Sequence, residues 1–412
     1  MGPLWKVLPH GWLAGQVKNA ATVTIGKMLQ SKDSGGDARA PYMRAANVQP
    51  NGVLALYDVN EMWFGEAELE QLSIRAGDVV VVEGGQGGFG RAAFIDQDLP
   101  GWGFQNSINR LRPIGDFDGR FIAFYLIALR ASGFIRAYSN VVSMPHLTAE
   151  KLARIPILLP PVEVQHAIAD YLDRETARID ALIEEQQRLI EMLRERRESA
   201  IRAVLMRGLD DDAPLRASGS EFLGLIPSAW TMVPTRHLCT ITTGDEDSGN
   251  ASEDGAYPFY VRGREILRSD AYAFDGEAVM TPGDGQGGTG KVFHYFDGKF
   301  QAHQRVYVFT DFHGITGRYF YYYLSTFLKP IALAGSNTVT MESLRRPLLA
   351  SFPVAVPPAD EQILIVEHLD EQIAKINQLI AETERFIDLS QERRAALITA
   401  AVTGQIDVRE VA

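Results

Sequence analysis

Only one cysteine, Cys239, occurs in 412 residues. That excludes an internal disulfide framework and any cysteine-based structural zinc site within one chain. Long apolar runs are also missing: the longest, Phe121 to Leu129, falls well short of the roughly 20 residues a membrane-spanning helix needs. The opening residues, MGPLWKVLPHGWLAG, lack the continuous apolar core of a secretory signal, and Lys6 stands where a myristoylation motif needs Ser or Thr. A reducing cytoplasm without membrane attachment is the expectation. Excess positive charge is absent too. The net charge of -12 argues against a protein that coats nucleic acid by bulk electrostatics. The acidity is uneven, however: residues 1–157 carry +1, 158–210 carry -3, 211–354 carry -4 and 355–412 carry -6. A nucleic-acid surface is open on the first segment and must be local elsewhere.

Catalytic signatures are scarce. There is no H-E-x-x-H, no G-x-S-x-G and no Asn-Pro-Pro-Tyr segment, and Cys239 lies in no recognisable nucleophile context. His166, at the start of a long helix, reads as a packed or capping residue. GQGGTGKV from Gly285 fits the phosphate-binding pattern G-x-x-x-x-G-K, but Val292 replaces the Ser or Thr whose hydroxyl ligates magnesium. The motif also needs a following helix, whereas VFHYFD reads as strand and turn. In GQGGFGRA from Gly85, Arg91 replaces the lysine. A nucleotide-dependent protein using Lys291 is one alternative, and a plain glycine turn between strands is another.

What is abundant is repetition. Leu159 to Asp210 and Val356 to Asp407 align without gaps at a shift of 197 residues, matching Pro160, Gln165, Leu172, Ile179 and Arg197 with Pro357, Gln362, Leu369, Ile376 and Arg394. Upstream, Leu8 to Trp12 is echoed by Ile226 to Trp230, the run GDVVVVEGGQGGFGR from Gly77 by Gly276 to Lys291, and Phe121 to Tyr138 by Arg318 to Phe327. Asn140 and Met144 are echoed by Asn337 and Met341. The chain is a tandem duplication of one unit: a mixed domain, then a long helix. The expected fold class is α+β, with domains at 1–157 and 211–354, helices over 158–210 and 355–412, and a pseudo-two-fold repeat. Val79 to Val82 reads as a buried strand. Phe121 to Tyr138 reads as one helix, with Phe121, Phe124, Tyr125 and Leu129 on one face.

Pro160 and Pro161 suit a helix start, where a missing N–H costs nothing. Beyond them, Ile168, Leu172, Glu175, Ile179, Leu182, Gln186, Leu189, Leu193 and Arg196 fall four then three apart. Ile365, Leu369, Gln372, Ile376, Leu379, Thr383, Phe386, Ser390 and Arg393 repeat the pattern. That spacing predicts a heptad seam with polar layers that set register. At 1.5 Å per residue, about 45 residues make a rod of roughly 65 to 70 Å. Two such helices in one chain predict an antiparallel coiled coil.

Gln86 and Gln286, Gly88 and Gly288, and Arg91 and Lys291 recur in the glycine loops. Glycine amides beside Arg or Lys can hold a phosphate, and Gln can read an adenine edge. FQNSINR offers Asn106 and Arg110, and FQAHQR offers His303, Gln304 and Arg305; Arg44, Arg262 and Arg264 add basic groups nearby. These are the candidate DNA contacts. Gln165, Arg196, Arg197, Gln362, Arg393 and Arg394 are candidate partner contacts on the helices. A coiled-coil adaptor that binds only protein is the further alternative, favoured by the acidity.

The ordered combination of the Trp12 and Trp230 motifs, the GDVVVVEGGQGGFGR strand and loop, GSNTVTMESL from Gly335 and the PPxxxQ helix starts resembles the specificity subunit of type I restriction-modification systems over the whole chain. Val164 departs from that pattern, standing where Glu361 keeps a glutamate before the glutamine. The resemblance implies two target recognition domains held apart by antiparallel helices, each reading half of a bipartite double-stranded DNA sequence. It implies docking of two modification (methyltransferase) subunits, which bind S-adenosylmethionine, and a restriction motor subunit that uses ATP. It implies no catalysis, cofactor or metal on this chain.

Overall fold

A computed structural model of the chain describes residues 4–85, 88–139, 146–220, 223–284, 290–334 and 344–411. They form two compact units: residues 1–186 with 385–412, and residues 187–384.

The first unit contains β1 (Leu13–Gln16), β2 (Ala21–Ile25), β3 (Ala38–Met43), β4 (Asn60–Phe64), α1 (Glu66–Gln71), β5 (Val79–Val82), β6 (Ala92–Phe94), β7 (Gly103–Phe104), β8 (Ile108–Pro113), α2 (Gly119–Ala131), α3 (Phe134–Tyr138), α4 (Ala149–Ala153) and β9 (Pro156–Leu159). Its main sheets run β2-β8-β5-β6 and β4-β3-β7. All four valines of β5 are buried because both faces of the sheet are covered. Val79 and Val81 point into the core with α2, Val80 and Val82 into the core with β3 and β4. The expected single helix over 121–138 is instead two, because Gly133 at φ +77° turns the backbone left-handed between α2 and α3.

After α5 (Val162–Arg207), the second unit has β10 (Leu215–Ala217), β11 (Leu225–Pro227), β12 (Thr231–Pro234), β13 (Thr240–Thr243), β14 (Tyr257–Tyr260), β15 (Ile266–Ser269), β16 (Phe274–Pro282), β17 (His294–Ala302), β18 (Val306–Thr310), α6 (Gly317–Ala334), α7 (Arg346–Ser351) and β19 (Pro353–Val356). Its six-stranded sheet runs β13-β18-β16-β17-β14-β15. This is the order of the first unit with one simplification. The nine-residue β17 pairs antiparallel with β16 and then parallel with β14, the two tasks that β6 and β7 divide between them.

Each opening tryptophan directly precedes a strand that pairs with the strand leading into a long helix: Leu13 faces Leu159, and Thr231 faces Val356. The long helices α5 and α8 (Ala359–Val402) pack together. In the first unit, Ile168 and Leu172 of α5 share a core with Ile398, Ala401 and Val402 of α8, and Val408 of α9 (Val408–Val411) joins them. In the second, Leu205 of α5 shares a core with Ile365 and Leu369 of α8, α6 and Trp230.

The buried positions along the helices differ from the expected seam at every second step. Ile179, Ile190, Ile376, Ile380 and Ile387 are buried, while Leu182, Leu189, Leu379 and Phe386 are exposed. The reason is a pair of adjacent apolar residues at each step (Leu182-Ile183, Leu189-Ile190, Leu379-Ile380, Phe386-Ile387), so that a four-three period fits two faces of the helix equally well. Thr383 and Ser390 are buried, but their hydroxyls donate to Leu379 and Phe386 carbonyls one turn back in their own helix, which satisfies them without a cross-helix partner.

Candidate nucleic-acid interface

In the first unit the candidate residues converge on the segment that leaves β3. The Gln105 amide donates to the Met43 carbonyl at 2.9 Å, and the Ala45 amide donates to Ser107 Oγ at 3.3 Å. Asn106 therefore lies beside Arg44. Arg44 pairs with Asp58. Arg91, at the foot of its glycine loop, donates Nη1 to the Val48 carbonyl at 3.4 Å. Gly88 and Asn106 are half-buried at the loop edge. Gln86 lies outside the described residues.

The second unit gathers its set around two carboxylates. Asp284, directly before the glycine loop, accepts from Arg305 Nη1 at 2.8 Å and faces Arg262 Nη1 at 3.8 Å. Asp247 accepts from Gln304 Nε2 at 3.3 Å, with His303 Nε2 at 3.9 Å. The His303 ring is buried, and its Nδ1 accepts from the Arg305 amide at 3.0 Å. Burial, reinforced by Arg262, holds its pKa below the ordinary histidine range. A neutral ring with its proton on Nε2 fits both contacts. His303 thus shapes the loop, while Arg262, Arg264, Lys291, Gln304 and Arg305 are exposed. Gln286 and Gly288 lie outside the described residues, as do Asn140, Met144, Asn337, Met341 and the segment from Gly335.

Several expected contacts have internal roles instead. Arg110 is 5% exposed, and its guanidinium donates to the Gln71 and Ser73 carbonyls and to Thr24 Oγ1. Burial, with Arg112 nearby, pushes its pKa down to about 10. FQNSINR and FQAHQR look alike but are not in the same register. The Gly26 amide bonds to the Ile108 carbonyl and the Gly244 amide to that of Val306, so Arg305 corresponds to Ser107 in the loop and Arg110 lies within β8. Gln165 and Gln362 are buried and do the same job twice. Gln165 Oε1 accepts from the Asp118 amide and Nε2 donates to the Pro160 carbonyl; Gln362 does so with Thr316 and Pro357. Each fastens a long helix to the start of α2 or α6. Arg394, 5% exposed, forms a two-pronged pair with Asp180 at 2.8 and 3.0 Å. Arg197 bonds to Asn377 Oδ1 at 2.6 Å. Only Arg196 and Arg393 of the expected partner contacts are exposed.

Two repeated arginines escaped the sequence reading. Arg120 ties α2 to Asp170 and Asp173 of α5, and Arg318 ties α6 to Asp370 of α8. Asp173 and Asp370 are equivalent at the 197-residue shift, but nothing in the sequence paired them with those arginines.

Between Pro282 and β17 there is no helix in the described residues: a turn over 290–291 and two irregular residues lead to the strand at His294. The Gly285 loop therefore lacks the helix N-terminus a phosphate-binding loop requires. Cys239 is buried, its Sγ 3.7 Å from the Thr235 carbonyl. Burial, with Asp311 nearby, pushes its thiol up to about 12. Because the folded value lies above the unfolded one, the thiol's stabilising contribution is complete below about pH 8.5 and is lost as pH rises towards 12. The native chain should show almost no thiol-reagent uptake at pH 8 and one equivalent after unfolding. Rapid labelling of the native chain would contradict this placement.

A duplicated α+β framework, with arginine and amide side chains gathered at one loop edge of each repeat and a long helix fastened to each, defines a tandem-repeat protein of two mixed domains and two long helices. Residues 9–192 and 227–385 match the family described as the type I restriction modification DNA specificity domain, and the chain belongs to that family. It is 31% identical over 183 residues to the type I restriction enzyme EcoDI specificity subunit of Escherichia coli, covering 44% of this chain and 40% of that one. It is 33% identical over 89 residues to the EcoBI specificity subunit of the same organism, covering 22% and 19%. The matches therefore span less than half the length of these curated relatives. A chain from a structure addressing complex assembly and conformational transition of the type I R-M system superposes with a TM-score of 0.71 at 16% identity, covering 98% of this chain and 100% of that chain. The HsdS subunit of Thermoanaerobacter tengcongensis does so at 0.54, with the same identity and coverage. These likenesses establish the fold. No described helix is long and apolar enough to cross a membrane.

Proposed function

We propose that this chain is the DNA-specificity subunit of a cytoplasmic type I restriction-modification complex, without catalysis or a cofactor of its own. Each mixed domain reads half of a split DNA target. The two long helices act as an antiparallel coiled-coil spacer. S-adenosylmethionine and ATP are used by the modification and restriction subunits. Family membership across both repeats carries this reading, and the loop clusters at Arg44–Asn106 and Arg262–Arg305 supply side chains suited to phosphates and base edges.

The helices also support docking of two copies of one modification subunit. Leu182, Leu189 and Met192 of α5 are exposed, and so are Leu379, Phe386 and Leu389 of α8. These are the same three positions at the 197-residue shift. Duplicated apolar stripes on otherwise charged helices suit a partner present twice.

The reading is tested by reconstituting the complex and selecting from random-sequence DNA. A split motif with a fixed gap is expected; a contiguous motif, or none, sinks it.

A further inference from the structure

The two repeats differ most sharply between two equivalent strands. From β14 to β15 the chain turns in five residues, 261–265, whereas from β3 to β4 it takes sixteen, 44–59. The longer connection is a built element. Buried Asn47 accepts from the Arg44 amide through Oδ1 and donates Nδ2 to the Ala55 and Asp58 carbonyls at 2.8 and 3.2 Å. The Ala55 amide returns a bond to the Asn47 carbonyl. Asn51, at φ +64°, and Gly52 make a tight left-handed turn, and the Asn51 carbonyl accepts from Arg394 of α8. Leu54 and Leu56 pack inward. Tyr57 is 89% exposed.

On so firmly held a loop the ring contributes almost nothing to packing and is presented to solvent. Its neighbours indicate the occupant. Arg44 stands at one end of the loop, Asp58 beside Tyr57 holds that arginine in place, and Arg91 grips the Val48 carbonyl. Two candidate contacts of this unit, Arg44 and Arg91, are therefore held on or against the same loop.

We propose that loop 44–59 adds an aromatic DNA contact that the short turn 261–265 of the second unit lacks: the Tyr57 ring packs against bases at one step of the half-site that the first unit reads. The proposal rests on the DNA-reading function above.

The test uses the reconstituted complex and the motif it selects. Aromatic contacts with bases are worth about 1–3 kcal/mol, so Tyr57→Ala should weaken binding by roughly tenfold or more, while Tyr57→Phe should stay within about threefold of wild type. A 2-aminopurine probe walked along the first unit's half-site should lose its binding-induced fluorescence change at one step in Tyr57→Ala only. Thermal stability should be unchanged, since the ring is exposed. An enriched motif with Tyr57→Ala binding unaltered overturns the proposal alone. Loss of assembly with the modification subunits in Tyr57→Ala also overturns it, because the ring then meets protein. Failure of the wild-type complex to enrich any motif removes the DNA-reading function and this proposal with it.

Discussion

Replacing Trp230 by alanine is expected to destabilise the second unit by about 3–5 kcal/mol, the range for removing a fully buried large aromatic. The indole is completely buried. Its Nε1 donates to Glu361 Oε2 at 2.9 Å, and its backbone carbonyl accepts from Arg216 Nη2 at 2.6 Å. Gly208 closes α5 against it: at φ +75°, a Cβ there would lie 2.5 Å from Glu361 Oε1 and 3.3 Å from the indole. Truncation therefore opens a cavity and strands a carboxylate. Trp12 occupies the equivalent place beside Gly404, but Val164 stands where Glu361 would be. Val164 packs against the surrounding core instead, so Trp12→Ala forgoes no comparable hydrogen bond and should cost less. Denaturant unfolding of the full chain measures both. A Trp230→Ala loss below about 1 kcal/mol, or a larger loss for Trp12→Ala, would show that the tryptophan does not anchor the helix end.

The second large effect concerns assembly. Leu182→Asp with Leu189→Asp, or Leu379→Asp with Phe386→Asp, should each reduce affinity for the modification subunit by on the order of 100-fold or more, since buried interface anchors cost upwards of about 2 kcal/mol each. Folding should hardly change, because all four side chains are exposed. With one stripe altered, the complex should carry one modification subunit instead of two, read by native mass spectrometry. Two bound subunits at unchanged affinity would remove the stripes from the interface.

The duplication, the β5 core strand and the helix starts at Pro160 and Pro357 were legible because each leaves a local pattern: a repeat, a β-branched run or a proline at a first turn. The inward face of the helices was not. Leu189 and Ile190 are both apolar, and only packing decides which is buried. The site was legible as two regions, less so as residues. Arg305 and Arg110 look alike in their strings, yet one lies in a loop and the other satisfies carbonyls inside a sheet. The sixteen-residue loop around Tyr57 left no signal because its order comes from one buried asparagine contacting residues eight and eleven positions away.

The most direct test of the account exchanges residues 1–159 for those of another family member, keeping β9 intact up to Leu159, and repeats the random-sequence selection with the reconstituted complex. One half of the split motif should change, while the other half and the gap stay as they were. A change in both halves, or in neither, would contradict the assignment of one half-site to each repeat.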